Sequence, residues 1–549
     1  MPMPSKKHVL AAIATCSLLT ACGSDDNNSS RNSSEQGQVK NLILMIGDGM
    51  GAQQVGLLEE YVRRAPNSHL DTTTTGLQKF AENGRMGLSL NAPMGDNPSL
   101  VVDSACSATQ LATGLGSISE AVGLDDNGNK VETILEKAKK MGKATGLISD
   151  TRLTHATPAG FASHQPHRSR ENEIAAEYVD SEMVDVMLGG GSRHWVPATD
   201  FTVLAEELNA PTHVIKKSKR SDDRNLILEA KEKGYSLAFT KEQLSAASGT
   251  KLLGLFDDSA MNDGILHTAC QNGDDSAKCT DEPTLKEMTV KALDILSQDE
   301  DGFFLMIEGG QIDWAGHVND AGWMLHELLK FDEAVEAVYE WVKDRNDTLV
   351  VVTADHETGS FGFSYTRKDL PEAKTLSGDG MDGEDYQPNF NFAPLTNLDK
   401  LYAQTGTFYD MMSAVDGDWN FTSTTGAQWA EAINAHVHDD FEVSAEEAHP
   451  ITEREDNEYF VAGHKYLEAE MFPAIKDFKE FYVYGDELHG NLIGRTLAAD
   501  QNVVWGTGTH TAAPVPVYAF GPDAITEKFS TMQHHVDLGQ KMIDALIVE

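Results

Sequence analysis

Several short aliphatic runs of this chain end in residues suited to holding metal ions, and that placement constrains the fold more than any other feature. The runs lie at 41–46 (NLILMI), 144–149 (ATGLIS), 302–307 (GFFLMI), 348–353 (TLVVVT), 503–504 (VV) and 515–520 (VPVYAF). Between them lie helical patterns such as 131–141 and 323–344, with apolar residues recurring at every third or fourth position. The alternation predicts an α/β fold, a central mainly parallel sheet with helices on both faces. Asp48 follows the first run, Glu308 the third, Asp355 and His356 the fourth, and His510 the fifth. Open α/β sheets bind ligands outside the carboxyl ends of their strands, so these side chains are expected to meet in one crevice. A single acidic residue after a strand is usually a turn former. Repetition at successive strand ends points instead to a site.

Four local patterns carry chemistry. In Glu308-Gly-Gly-Gln-Ile-Asp313-Trp314-Ala-Gly-His317, Asp313 and His317 are four apart and share one face of a helical turn. Carboxylate plus imidazole suits zinc, and all-oxygen neighbours suit magnesium. In Thr353-Ala-Asp355-His356-Glu-Thr-Gly, both ligands can reach one ion only if the backbone turns, which the Thr-Gly that follows permits. The glycines of Ile46-Gly-Asp48-Gly-Met-Gly51 fit neither a dinucleotide fingerprint nor a P-loop, and they let backbone crowd around Asp48. In Val102-Asp103-Ser104-Ala-Cys-Ser-Ala-Thr, Ser104 precedes small helix-compatible residues. Such a serine either caps the helix or faces an anion with the helix's positive end. No histidine stands at the spacing of a hydrolase triad, so activation of the Ser104 hydroxyl would fall to a metal.

The charge balance excludes some partners. With 86 acidic against 43 basic residues the formal charge is −43, spread along the chain, which repels nucleic acid and anionic lipid. Adaptation to high salt and acidic drift both account for it; the two-to-one excess favours salt adaptation. Residues 1–21 read as a lipoprotein-type signal peptide, with Lys6 and Lys7 before an apolar stretch too short to span a bilayer. Leu19-Thr-Ala-Cys22 would leave a lipid-bearing Cys22; the alternative is ordinary cleavage nearby without lipid. Residues 22–39 read as a polar linker and 40–549 as the main domain, which would carry any site. Cys270 and Cys279 flank a polar loop and could pair in an oxidising compartment, whereas Cys106 reads as a packed helix residue. Between His356 and His510, within about 360–500, a stretch rich in Gly, Asp, Asn and aromatics reads as an insertion, with helical segments at 426–435 and 445–448.

From about Lys40 to the C-terminus, outside that insertion, the chain resembles the alkaline phosphatase family, with the motifs above in family order and spacing. The resemblance implies two zinc ions and one magnesium ion per subunit. Ser104 would be the nucleophile, passing through a phosphoserine, and Arg168 would clamp the phosphate. Asp313, His317 and His510 would hold the first zinc; Asp48, Asp355, His356 and Ser104 the second; Asp48, Thr157 and Glu308 the magnesium. His155 and Trp314, beside the metals, depart from the enteric-type aspartate and lysine. Together with the insertion they resemble the enzymes of marine and salt-loving bacteria, in which a crown reaches over the partner of a homodimer. The histidine removes a carboxylate from the third metal site, and the missing lysine implies weaker phosphate holding. The implied substrates are small phosphate monoesters, the implied location the periplasm or an outer-membrane lipid anchor at Cys22. Competing readings are a phosphodiesterase or sulfatase of the same superfamily, although the sulfatase signature C-x-P-x-R is absent around Ser104, and a lipid-anchored protein that binds phosphate or metal without chemistry.

Overall fold

The computed structural model describes residues 38–70, 72–274 and 278–547; the signal segment, Cys22 and nearly all of the 22–39 linker fall outside them. Among the described residues ten strands form one sheet: β1 (Asn41–Gly47), β2 (Arg85–Leu90), β3 (Ala144–Arg152), β4 (Val186–Gly190), β5 (Ser236–Ala238), β6 (Leu252–Leu255), β7 (Phe303–Gly309), β8 (Thr348–Thr353), β9 (Val515–Phe520) and β10 (Met532–His534). Their order is β10-β2-β9-β8-β1-β7-β3-β4-β6-β5. Every pairing is parallel except those of β9 with β2 and β8. The central strands β8, β1 and β7 are buried along their whole length, which is why they read as unbroken apolar runs rather than alternating ones.

Alternate residues of these strands feed two cores. Ile43, Met45, Leu305, Ile307, Val350 and Val352 join one cluster with the helix Ala321–Val342. Leu42, Leu44, Phe304, Met306, Leu349 and Val351 join the other, with helices Ser104–Thr113 and His535–Leu546. The sheet is therefore covered on both faces, as expected for parallel strands. No described helix is long and apolar enough to cross a membrane.

Two details differ from the sequence reading. Val503–Val504 is not a strand of the central sheet; it pairs antiparallel with Gly362–Phe363. Two residues bounded by Asn502 at positive φ are too short for a central strand. His510 instead opens a two-residue strand, His510–Thr511, paired with Glu357–Thr358, and this ribbon carries it back beside His356. Residues 445–448 form a turn rather than a helix, followed by the 3₁₀ turn His449–Thr452 with Pro450 near its start. The helix at Gly426–Asn434 is present, with a Thr425–Gln428 capping box. Cys270 and Cys279 are disulfide-bonded, and Cys106 is buried with its thiol pushed up by burial, so it offers no thiolate.

The long segment between β8 and β9 is tied to the core through Asp320. Its buried carboxylate accepts from the backbone of Trp323 (3.0 Å), capping the helix Ala321–Val342, and from Gln404 Nε2 (2.8 Å) and Phe408 N (2.9 Å) across the chain. Removing it strands three buried donors. Asp320→Ala is expected to cost about 3 kcal/mol. The checks are a lower melting temperature and faster proteolytic cleavage within the 404–408 region; unchanged values in both would show that the anchor is redundant.

Candidate active site and metal centre

The carboxyl ends of β1, β7 and β8 and the N-termini of two helices meet at one crevice. Asp48 leaves β1 with its N–H donated to Gly309 O of β7 (3.1 Å), so the two strand ends are locked in register. Gly49 follows at φ +72°, where a Cβ would lie 2.8 Å from the Asp313 backbone. Only glycine permits that approach, and its N–H donates to Asp355 Oδ1 (3.1 Å). Asp313 and His317 sit on the helix Gln311–His317, one turn apart.

Ser104 is the first residue of its helix, and the cap is Asp103, whose carboxylate accepts from Ala105 N (3.1 Å). Capping thus falls to the aspartate and leaves the Ser104 hydroxyl for the crevice, 3.1 Å from His356 Nε2. The same Asp103 carboxylate pairs with Arg168 Nη1 (3.2 Å), which fixes the guanidinium beside the serine. His155 Nε2 lies 3.3 Å from Arg168 Nη2. Burial, Arg152 and Arg168 push His155 down to about 3, so it is neutral and accepts from the arginine. Trp314 packs edge-on to His155, with ring centroids 6.0 Å apart. Burial would lower the Arg168 pKa, yet Asp103 and Asp48 raise it, so the guanidinium is firmly cationic.

The histidines are aimed by acceptors on their far sides. His317 Nδ1 donates to Gly508 O (2.8 Å) and His510 Nδ1 to Val102 O (2.7 Å). Both Nε2 atoms therefore point inward, 3.2 Å apart. Burial would lower the His317 pKa, yet Asp313 and Glu487 raise it to about 10, whereas burial and His356 push His510 down to about 3. Asp313 oxygens lie 3.3 and 3.6 Å from them. Thr358 Oγ1 donates to Asp313 Oδ1 (2.5 Å), which leaves it to accept from His356 Nδ1 (3.2 Å). His356 Nε2 then faces Asp355 Oδ2 at 3.1 Å and Asp48 Oδ1 at 3.5 Å. Thr157 Oγ1 donates to Asp48 Oδ2 (3.3 Å), and Glu308 is held by Ser149 and Thr151.

Three groups of ligand atoms come within 4.8 Å of one another here: Asp313, His317 and His510; Asp48, Asp313 and His356; Asp48, His155 and Glu308. Asp48 Oδ1, Asp355 Oδ2, Glu308 Oε1 and His155 Nδ1 are buried without a hydrogen-bond partner. Burial, then neighbouring carboxylates, raises Asp48 well above its ordinary range, and burial with Asp150 and Asp355 pushes Glu308 up to about 8. Clustered imidazole nitrogens and orphaned carboxylate oxygens fit bound cations. The crevice thus brings together the candidate site residues singled out from the sequence. It also places His155 nearer the ligands of the third group than a neighbour of the metals need be. Sequence reasoning missed Asp103 and Thr358; both sit inside quoted motifs, but nothing in their type separates a cap or a turn residue from an organiser of the site. Glu487, whose Oε2 lies 3.7 Å from His317 Nδ1, was hidden in the insertion.

A family model described as alkaline phosphatase matches residues 39–548. The chain belongs to the alkaline phosphatase family. Alkaline phosphatase 4 of Bacillus subtilis is 35% identical over 369 residues, covering 65% of this chain and 70% of that protein. The Escherichia coli alkaline phosphatase is 30% identical over 442 residues, covering 71% and 89%. Among solved structures, the cold-active alkaline phosphatase of a psychrophilic Shewanella has a TM-score of 0.63 at 26% identity, covering 92% of this chain and 98% of its own. That of Thermus thermophilus has a TM-score of 0.69 at 24% identity, covering 95% and 96%, and shares the fold. Membership makes the chain a metal-binding phosphomonoesterase hydrolase, which sets aside the non-catalytic reading.

Chelation should therefore destabilise as well as inactivate. With cations stripped, the carboxylate cluster is left to its own repulsion. The melting temperature is expected to fall in EDTA and to recover with added zinc. A melting temperature indifferent to chelator would mean that the orphaned oxygens are neutralised by protons alone.

Proposed function

We propose that the protein hydrolyses small phosphate monoesters by two in-line displacements through a phosphoserine on Ser104, at a site of two zinc ions and one magnesium ion. Asp313, His317 and His510 would hold the first zinc; Asp48, Asp355, His356 and Ser104 the second; Asp48, Thr157 and Glu308 the magnesium. Bound there, the metals lower the pKa of a coordinated hydroxyl and neutralise charge on the attacking and leaving oxygens. The observation that carries the reading is the Ser104 hydroxyl, freed from capping by Asp103, 3.1 Å from His356 Nε2 and flanked by the anchored Arg168.

Ser104 Oγ attacks phosphorus and the alcohol leaves from the opposite side; water then attacks the phosphoserine and releases phosphate. Arg168 binds two equatorial oxygens through its planar fork. A monoester offers both as charged groups, whereas a diester carries a second organic substituent, so the fork favours monoesters. The neutral His155, accepting from Arg168 where a carboxylate would draw it more strongly, and Trp314, which adds no positive charge, favour weak phosphate holding and fast product release. The segment within about 360–500 acts as a crown over the partner of a homodimer. The chain is exported to the periplasm or held at the outer membrane through Cys22.

Ser104→Ala is expected to lower turnover of p-nitrophenyl phosphate by roughly a thousand-fold or more, with metal content unchanged. Turnover close to that of the unsubstituted enzyme would remove Ser104 from the nucleophile's role. The −43 charge is read as salt adaptation. Melting temperature should then climb as NaCl enters the molar range, because counterions screen the self-repulsion. A flat or falling curve would instead mark the acidity as drift.

A further inference from the structure

Tyr484, in the last part of the insertion, packs edge-on against His317, with ring centroids 5.1 Å apart. Its place is fixed from both sides. Upstream, Phe481 O accepts from Thr507 Oγ1 (2.8 Å) and Gly508 N (3.3 Å), in the stretch that leads to His510. Downstream, Tyr484 O accepts from Glu487 N (2.9 Å), where the helix Leu488–Gln501 begins. That helix sends Asn491 Nδ2 to His317 O (2.6 Å). A second ring stands behind the first. Tyr466 meets Tyr484 edge-on at 5.0 Å, and Lys465 lies over the Tyr466 ring at 4.4 Å with its ammonium on the Tyr466 hydroxyl. Both tyrosines are half-buried.

The phenol supplies the second observation. Among the described residues no donor or acceptor meets the Tyr484 hydroxyl, yet it is not sealed from solvent. Burial, then Glu487 and Asp313, pushes the phenol up against the opposing pull of Arg168. The group is therefore a neutral hydroxyl within reach of the ligand cluster and of the guanidinium. A tyrosine joins an apolar ring to a polar tip, and a partly covered one is suited to a ligand that is apolar at one end and wet at the other. On the two-displacement reading, Ser104 attacks from beside His356, so the alcohol departs on the far side of phosphorus, toward Asp313, His317 and His510. Tyr484 stands on that side, against His317.

We propose that Tyr484, braced by Tyr466, is a specificity-determining residue that lies against the ester group of the substrate and favours aryl over small alkyl phosphate monoesters. An aryl group offers the Tyr484 ring a second π-system, and such pairs gain from edge-on or offset contact beyond the area they bury. A small polyol such as glycerol covers less of the ring and keeps more of its own water. The unpartnered hydroxyl can donate to a polar substituent on the aryl group. The proposal rests on the phosphoserine reading for the direction in which the alcohol leaves. It gives Tyr484 no part in making or breaking bonds.

The test measures kcat/KM of the full-length enzyme for phenyl phosphate and for glycerol 2-phosphate, in the unsubstituted protein and in Tyr484→Ala, Tyr484→Phe and Tyr466→Ala. The phenyl-to-glycerol ratio is expected to fall about five-fold in Tyr484→Ala and by a smaller factor in Tyr466→Ala. Tyr484→Phe keeps the ring and should restore the ratio to within about two-fold of the parent. An unmoved ratio in Tyr484→Ala would overturn the proposal. So would an equal loss on both substrates, because damage to the ligands beside the ring affects every monoester alike. Competitive inhibition by phenylphosphonate, relative to inorganic phosphate, makes the same comparison without turnover and should weaken by the same factor. If Tyr484→Ala does not fold, crystals of the unsubstituted enzyme with phenylphosphonate decide the matter. A phenyl ring in contact with Tyr484 supports the proposal, and one directed elsewhere refutes it. Failure of the phosphoserine reading shows separately, as undiminished turnover in Ser104→Ala, so the two failures are distinguishable.

Discussion

Mutual repulsion among buried ligands governs the architecture of this protein. Asp48, Asp313, Asp355 and Glu308 are all buried within one crevice, and the Nε2 atoms of His317 and His510 lie 3.2 Å apart. No packing of apolar atoms offsets such a cluster, and no arrangement of hydrogen bonds present satisfies Asp48 Oδ1, Asp355 Oδ2 and Glu308 Oε1 together. The sheet must therefore do two opposed things. It has to carry the ligands to their places rigidly enough to survive the repulsion, and it has to leave cavities that only cations fit. Parallel strands achieve the first, because β1, β7 and β8 are hydrogen-bonded to one another in fixed register and packed on both faces. The second depends on backbone crowding, seen where Gly49 passes the Asp313 backbone too closely for any side chain.

The fold was legible wherever burial on both faces made the strands continuous and apolar. The runs that became β1, β3, β7, β8 and β9 could be read for that reason. Strands β2, β4, β5, β6 and β10 could not: β2 and β4 contain glycine, β5, β6 and β10 have only three or four residues, and β2 is largely half-buried or exposed, with Ser89 its one buried residue. The 503–504 run misled because two β-branched residues look alike in a central strand and in a short ribbon. Only the pairing of His510–Thr511 with Glu357–Thr358 shows that His510 returns on a ribbon rather than at a strand end.

The crevice was more legible than the fold around it, since metal ligands belong to few residue types and here recur at the ends of strands. The Asp313–His317 spacing required only that the segment be helical, and it is. What sequence could not convey is division of labour between neighbours. Asp103 and Ser104 are both ordinary capping residues, and their order alone does not say which one caps. Thr358, adjacent to a glycine, reads as part of a turn, yet its hydroxyl sits between His356 and Asp313 and fixes the direction of both.

Asp103 shows why these assignments matter together. One carboxylate caps the helix through Ala105 N, receives the Glu120 backbone N–H at 2.8 Å and pairs with Arg168. Glu120 in turn accepts the Arg168 N–H through its carbonyl at 2.7 Å, so the arginine is held at its backbone and at its head by the same short circuit. A serine placed at the first position of the helix is then oriented by the very residue that orients the guanidinium. Ser104 and Arg168 cannot drift independently, because a shift of the helix end moves both. That coupling is the form of preorganisation a displacement at phosphorus needs, where little covalent chemistry is left for side chains and position decides the rate. His155 joins the same unit from the other side: neutral, it gives Arg168 a weak second partner and leaves the guanidinium's charge directed mainly toward Asp103 and the crevice.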